Sequence, residues 1–213
     1  MKFYNKKTWN DRWIIEVVFK GRKGGFFIEA GAQHGKWGSC TYALEKYLGW
    51  TGILVEPVNK HFNNLVENRP NSVHVNACLC DKNEEVDFIE YEKETGYSGI
   101  PQCWESKRLV NPETSLHKKT KKPGVTLERL LDDYGAPEVI DYLALDIERS
   151  ESMVFSVFPF DRYTFKAISL EGGHGAFNTL MDSGYVRVNN PFCRQPWENY
   201  FIHEKWIEIT YKV

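Results

Sequence analysis

Four carboxylates, Glu29, Glu56, Asp146 and Glu171, each close a short apolar run: FFIE, ILVE, LALD and ISLE. Continuous apolar runs of this length read as buried parallel strands. Each acid then stands at a strand's carboxyl end, where open parallel sheets bind their ligands. After the first acid comes a loop, EAGAQHGKWGSCT, with glycines at 31, 35 and 38. A dinucleotide fingerprint starting at Gly31 needs glycines at 33 and 36, where Gln33 and Lys36 stand. A phosphate loop built on Gly35-Lys36 needs glycine at 30 and a hydroxyl residue at 37, where the chain has Ala30 and Trp37. The spacing excludes both phosphate cradles.

A carboxylate just before the loop would repel a pyrophosphate and attract a ligand with a cationic centre. S-adenosylmethionine carries a sulfonium and an ammonium, and its carboxylate can face a helix N-terminus at Ser39. Glu56 is placed for a bidentate bond to ribose hydroxyls, as the equivalent acid is in dinucleotide folds. Asp146 and Glu148 are alternate residues, so their side chains point to opposite faces unless the strand has already ended. Asp146 is assigned to the cofactor and Glu148 to the acceptor or a divalent cation, while Glu151 reads as a helix N-terminal charge. His174, three residues after Glu171, is the candidate general base, because its ordinary pKa suits the task. The other reading of His174 is a surface histidine in a Gly-Gly-His-Gly turn.

The elements that must position these groups follow from periodicity. With 213 residues the chain makes one domain with a real core. An amphipathic helix is expected over about residues 8–20, with Trp9, Trp13, Ile14, Val17 and Val18 on its apolar stripe. KGGFFIEAG, TGILVEP and SVHVNACLCD read as strands separated by the helices SCTYALEKYLGW and VNKHFNNLVENRPN. That alternation is the half-unit of a doubly wound parallel sheet. EEVDFIEY adds a strand, and residues 92–123, ending in the basic run KKTKK, read as a long inserted loop on the acceptor side. TLERLLDDYG and SESMVFSVF read as helices, VIDYLALDIE and YTFKAISLEGG as strands, and the closing segments GYVRVNN and NYFIHEKWIEITYKV as an antiparallel edge.

EAGAQHG, LVEP, NACLCD, DYLALDIERSE and ISLEGGH, in that order, resemble the FkbM-type S-adenosylmethionine-dependent methyltransferases. The resemblance runs from about residue 25 to the final strand. It implies an α/β class I methyltransferase (Rossmann-like) fold, a doubly wound, mostly parallel seven-stranded sheet with one antiparallel strand. It further implies methylation of a hydroxyl on a sugar, glycan or small natural product, with S-adenosyl-L-methionine as cofactor; no residue is assigned as a metal ligand, and the sequence leaves open whether a divalent metal assists. Carried over, Glu29, Gly31, Ala32, Gly35 and Ser39 line the methionine end. Glu56 and Pro57 take the ribose, Asn76 and Ala77 border the adenine, and Asp146 sits near the sulfonium. Arg149 and Ser150 depart from the small pair usual after that aspartate, and His34 replaces the commoner Asn or Asp of the loop. Transfer to nitrogen, protein or nucleic acid, and a binding module that kept the fold without catalysis, are the competing readings.

Whole-chain properties narrow the partners. Lys and Arg total 27 against 29 Asp and Glu, which gives no general field for nucleic acid or an anionic membrane. No run of eighteen apolar residues occurs, so no membrane span is expected. Five cysteines, an odd number without zinc-ribbon spacing, suggest reduced thiols in a cytoplasmic protein.

Overall fold

The computed structural model describes residues 1–93, 95–103 and 116–210. A short helix α1 (Asn10–Arg12) runs directly into a π-helical stretch, Trp13–Val18. Then β1 (Phe26–Ala30), α2 (Tyr42–Leu48), β2 (Thr51–Val55), α3 (Asn59–Asn68) and β3 (Val73–Val75) alternate. β4 (Cys78–Leu79), β5 (Glu85–Tyr91) and β6 (His117–Val125) form a small separate sheet. The chain closes with α4 (Leu127–Asp133), β7 (Val139–Leu145), α5 (Glu151–Ser156), β8 (Thr164–Glu171), α6 (Phe177–Asp182), β9 (Tyr185–Val188), β10 (Glu198–His203) and α7 (Glu204–Thr210).

The main sheet has the order β3-β2-β1-β7-β8-β10-β9, and β10 alone runs antiparallel to its neighbours. This is the class I methyltransferase sheet that the motifs led us to expect. Its two halves wind away from each other at the β1–β7 junction, the switch point at which such sheets open a crevice. The apolar runs alternate between two cores, as the period of two demands. Ile28, Ile53, Leu143 and Ile168 pack with α4, α5 and α6 on one face. Phe27, Leu54, Tyr142 and Ala167 pack with α2 and the π-helical stretch on the other.

Four elements differ from the sequence reading, one of them the closing segment, where β10 ends at His203 and Glu204–Thr210 form the helix α7 instead of continuing the edge strand. The N-terminal helix is shorter, because Trp9 sits at φ +57 and blocks the start at residue 8. The wide π turn then buries Trp13, Ile14, Ile15 and Val18. SVHVNACLCD is two strands: β3 joins the main sheet, while β4 leaves it to pair with β6. KKTKK lies inside β6 and not in a loop, opposite the acids of β5, with Asp87 facing Lys121 and Glu90 facing Lys118. Opposite charges across a strand pair stabilise it, and Lys122 is buried over the Phe88 ring. Residues 104–115, the centre of the expected loop, lie outside the described residues. All five cysteines are free, and among the described residues no helix is long and apolar enough to cross a membrane.

One buried ion network ties the loop after β1 to the sheet. Arg69, at the C-terminal end of α3, is 0% exposed and Glu29 4%. The Arg69 Nε donates to Glu45 at 2.8 Å, Nη2 to the Thr41 hydroxyl at 2.9 Å, and Nη1 to the Gly35 carbonyl and the Ser39 hydroxyl at 3.2 Å. Glu29 lies 3.5 Å from the same guanidinium and accepts the Cys40 N–H at 2.8 Å, the Ser39 hydroxyl at 2.9 Å and the Thr41 hydroxyl. Removing the cation would leave two carboxylates buried without a partner charge. Arg69→Met is therefore expected to lose about 3–5 kcal/mol of stability, read from urea unfolding at neutral pH; an unchanged midpoint would refute the network's structural role.

Candidate active site

β1, β2, β7 and β8 end along one edge of the sheet, which brings Glu29, Glu56, Asp146 and Glu171 to a common cleft. Two cavities meet there and share Gly31, Gln33 and Asp146 as walls. Gly31 has φ +77, and a Cβ added to it would collide with the Asp146 carbonyl. Only glycine lets the two strand ends approach this closely.

The first cavity, open to solvent, spans about 580 Å³ and has apolar walls from Val58, Ala77, Leu79, Phe88 and Ile100, with Glu56 and Pro57 beside them. Glu56 is 3% exposed. Each of its oxygens takes one backbone N–H at 2.8 Å, Oε2 from Gln33 and Oε1 from Val58, leaving one lone pair per oxygen. Burial outweighs these bonds and pushes its pKa up to about 7. Asn76 donates to the Glu56 carbonyl at 2.8 Å, so it braces the turn. The described part of the expected acceptor-side loop, Gly99 and Ile100 among it, lines this cavity.

The second cavity, open to solvent, spans about 740 Å³ and is more polar: Lys7 and Asn10 from the N-terminal arm meet Trp37, Ser169, Glu171 and Glu198. Asp11, fully buried, fixes the arm by accepting the N–H groups of Tyr4 at 2.6 Å and Asn5 at 3.3 Å. Its pKa is raised to about 6 by burial, against those bonds. Asn10 Nδ2 donates to Glu198 at 2.6 Å, and burial raises the Glu198 pKa to about 7.

Between the cavities stands a trio of carboxylates. Asp146, Glu148 and Glu171 each place an oxygen within 4.8 Å of the others. β7 stops at Leu145, and Glu148 and Arg149 adopt φ +54 and +77, so the alternation between faces no longer applies. Asp146 opens to the cleft but is walled by protein. That enclosure, a hydrogen bond shared with Glu171, and repulsion from Glu171 and Glu148 raise its pKa well above the ordinary value. Burial first, then Glu171 and Glu151, push Glu148 to about 8. Behind them Glu151 is fully buried, its Oε1 accepting the Ile147 N–H at 3.3 Å and its Oε2 without a hydrogen-bond partner among the described residues. Such a trio has the oxygen chemistry for a cation, whether a divalent metal or a ligand's positive centre.

The other expected site residues fall in several places. Ala32, Ser39 and Glu29 line the polar cavity, although Ser39 and Glu29 bond to each other. Gly35 packs on Leu65 and Arg69. His34 is engaged locally, its Nδ1 accepting the Lys36 N–H at 3.2 Å and its carbonyl the Asn68 amide at 2.8 Å. His174 opens a short 3-10 turn, His174–Ala176, just after β8; its side chain lies outside the described residues. Lys7, Asn10, Glu198 and Arg69 went unread in the sequence. Glu198 opens an alternating strand, whose start is a signal; a lone lysine in a polar arm has none.

Several solved structures are distantly similar. A TehB-like S-adenosylmethionine-dependent methyltransferase from Corynebacterium glutamicum has 11% identity over 92% of this chain and 88% of its own, with a TM-score of 0.44. Precorrin-6y C5,15-methyltransferase from Geobacter metallireducens has 11% identity over 85% and 79%, with a TM-score of 0.43. Aeropyrum pernix fibrillarin, in complex with natively bound S-adenosyl-L-methionine, has 14% identity over 91% and 76%, with a TM-score of 0.44. No curated protein matches in sequence. Residues 29–188, from the acid one residue before the end of β1 to the last residue of β9, match the methyltransferase FkbM domain. The chain therefore belongs to the FkbM methyltransferase family and is an S-adenosyl-L-methionine-dependent methyltransferase.

Proposed function

We propose that the protein methylates a hydroxyl of a sugar, glycan or small natural product, with its cofactor laid across Gly31. The observation that carries this placement is the split polarity of the cleft: an apolar cavity closed by a two-pronged acid on one side of Gly31, a polar, carboxylate-lined one on the other. The residues fit the cofactor. Glu56 has one free lone pair per oxygen for the two ribose hydroxyls, and Ala77 with Leu79 and Phe88 forms a slot for a flat base. Asp146 faces the positive centre. When bound, the cofactor supplies an electrophilic methyl group on sulfonium.

The protein's own part is alignment and proton removal. Holding a nucleophile in line supplies much of the acceleration in such displacements, and an alcohol must also lose its proton. Glu148, raised to about 8, and His174 at the end of β8 are the proton acceptors of this reading. A second reading has one observation in its favour: Glu29, Asp146, Glu171 and Glu198 all line the polar cavity, which suits a cationic amine as acceptor.

Two experiments test these assignments. Glu56→Ala is expected to weaken S-adenosylhomocysteine binding roughly 10- to 100-fold in calorimetry, since two hydrogen bonds to a charged group are lost. An ionised Glu56 accepts from both hydroxyls, so affinity should rise between pH 6 and 8 as the group loses its proton near 7. Glu56→Gln should flatten that rise, and an unaltered pH profile would move the dependence to another group. Incubation with methyl-labelled cofactor and panels of neutral sugars, amino sugars and amines should label hydroxyl products. Label found only on nitrogen would overturn O-methylation.

A further inference from the structure

We infer that Lys7, in the N-terminal arm, is the counter-ion that receives the cofactor's carboxylate. This rests on the proposed placement of the amino-acid end in the polar cavity. That end carries one carboxylate, and the cavity presents Glu29, Asp146, Glu171 and Glu198. An anion enters such surroundings only with a strong donor beside it.

Most of the loop's backbone donors are already spent. A helix N-terminus is the usual receptor for an anion, and Ser39 was expected to mark one. Here the Cys40 N–H goes to Glu29, and those of Thr41 and Tyr42 go to the Ser39 hydroxyl oxygen. The Gly31 and Ala32 N–H groups bond the Val55 carbonyl, and that of Gln33 bonds Glu56. α2 is only seven residues long, which limits its dipole. Arg69 is sealed beneath the loop and committed to Glu29, Glu45 and Thr41.

Among the described residues lining this cavity, Lys7 is the one cation. Its side chain is 65% exposed, with Nζ 3.7 Å from Glu171 and 5.6 Å from the centre of the Trp197 ring. A loose, solvated pair of this kind holds its lysine weakly, so Nζ is free to turn to a better anion. The backbone beneath it is fixed. Asn5 Oδ1 accepts the Thr8 N–H at 3.0 Å and the Thr8 hydroxyl at 2.8 Å, closing a turn around residue 7. The Thr8 carbonyl accepts from Asn190 and from the Tyr200 hydroxyl, both at 3.1 Å. A rigid turn thus carries a mobile cation at the mouth of an acidic cavity, outside the matched residues 29–188.

Calorimetry with S-adenosylhomocysteine and with 5′-methylthioadenosine, which lacks the amino-acid end, separates the possibilities. Lys7→Met is expected to weaken S-adenosylhomocysteine roughly 10- to 100-fold and to leave 5′-methylthioadenosine unchanged, while Lys7→Arg retains most of the affinity. Equal affinity of Lys7→Met and wild type for S-adenosylhomocysteine overturns the assignment, as does equal weakening of both ligands. Wild-type protein that binds 5′-methylthioadenosine as tightly as S-adenosylhomocysteine also overturns it but leaves the nucleoside cavity standing. Binding of neither ligand overturns the placement itself.

Discussion

A single buried guanidinium holds the cleft in shape. Arg69 reaches from the end of α3 to Glu29 at the end of β1, to Glu45 in α2, and to the loop between them. Buried charges are tolerated when every lone pair and proton finds a partner, and the planar fork of arginine can satisfy several acceptors at once. The arrangement changes what Glu29 does. The residue that the sequence suggested would greet a cationic ligand gives its hydrogen bonds to Ser39, Cys40, Thr41 and the arginine. It acts as a brace that keeps the glycine loop folded against Asp146.

The brace matters because the cleft is electrostatically crowded. Glu56, Glu148 and Glu198 have pKa values of about 7, 8 and 7, each raised first by burial. The charge of the cleft therefore changes across the neutral range, and a positive ligand gains as these groups ionise. For the empty fold the sign is reversed. A carboxyl whose pKa is raised by folding binds its proton more tightly in the folded state, so these groups take stability away as the pH climbs from the unfolded value near 4.5 towards 8. Ligand binding and bare stability thus run in opposite directions with pH.

Much of this was legible in the sequence. Apolar runs ending in acids marked the strands β1, β2, β7 and β8 and their cleft-lining ends, because burial on both faces leaves an unbroken apolar stretch. Gly31 was legible through its place after Glu29. KKTKK was not, since its strand depends on acids some thirty residues away in β5. The convergence of Asp146 and Glu148 was also hidden, because it rests on two non-glycine residues at positive φ. Arg69 gave no sign of its role: a charged residue before a proline reads as solvated, and only the folded chain shows which acids surround it.

The two ends of the sequence close the same wall. Asn10 bonds Glu198 and Tyr200 across separations of 188 and 190 residues, and Asn190 bonds the Thr8 carbonyl across 182. Contacts this distant form only after most of the chain is available, and their closure entropy is met late. The wall of the polar cavity is accordingly completed only after the ribosome has delivered β10. The apolar side of the cleft, whose walls run from Gly31 to Ser150, has all its residues once β7 and the turn after it are made, while the wall of the polar side still lacks Ser169, Glu171 and Glu198.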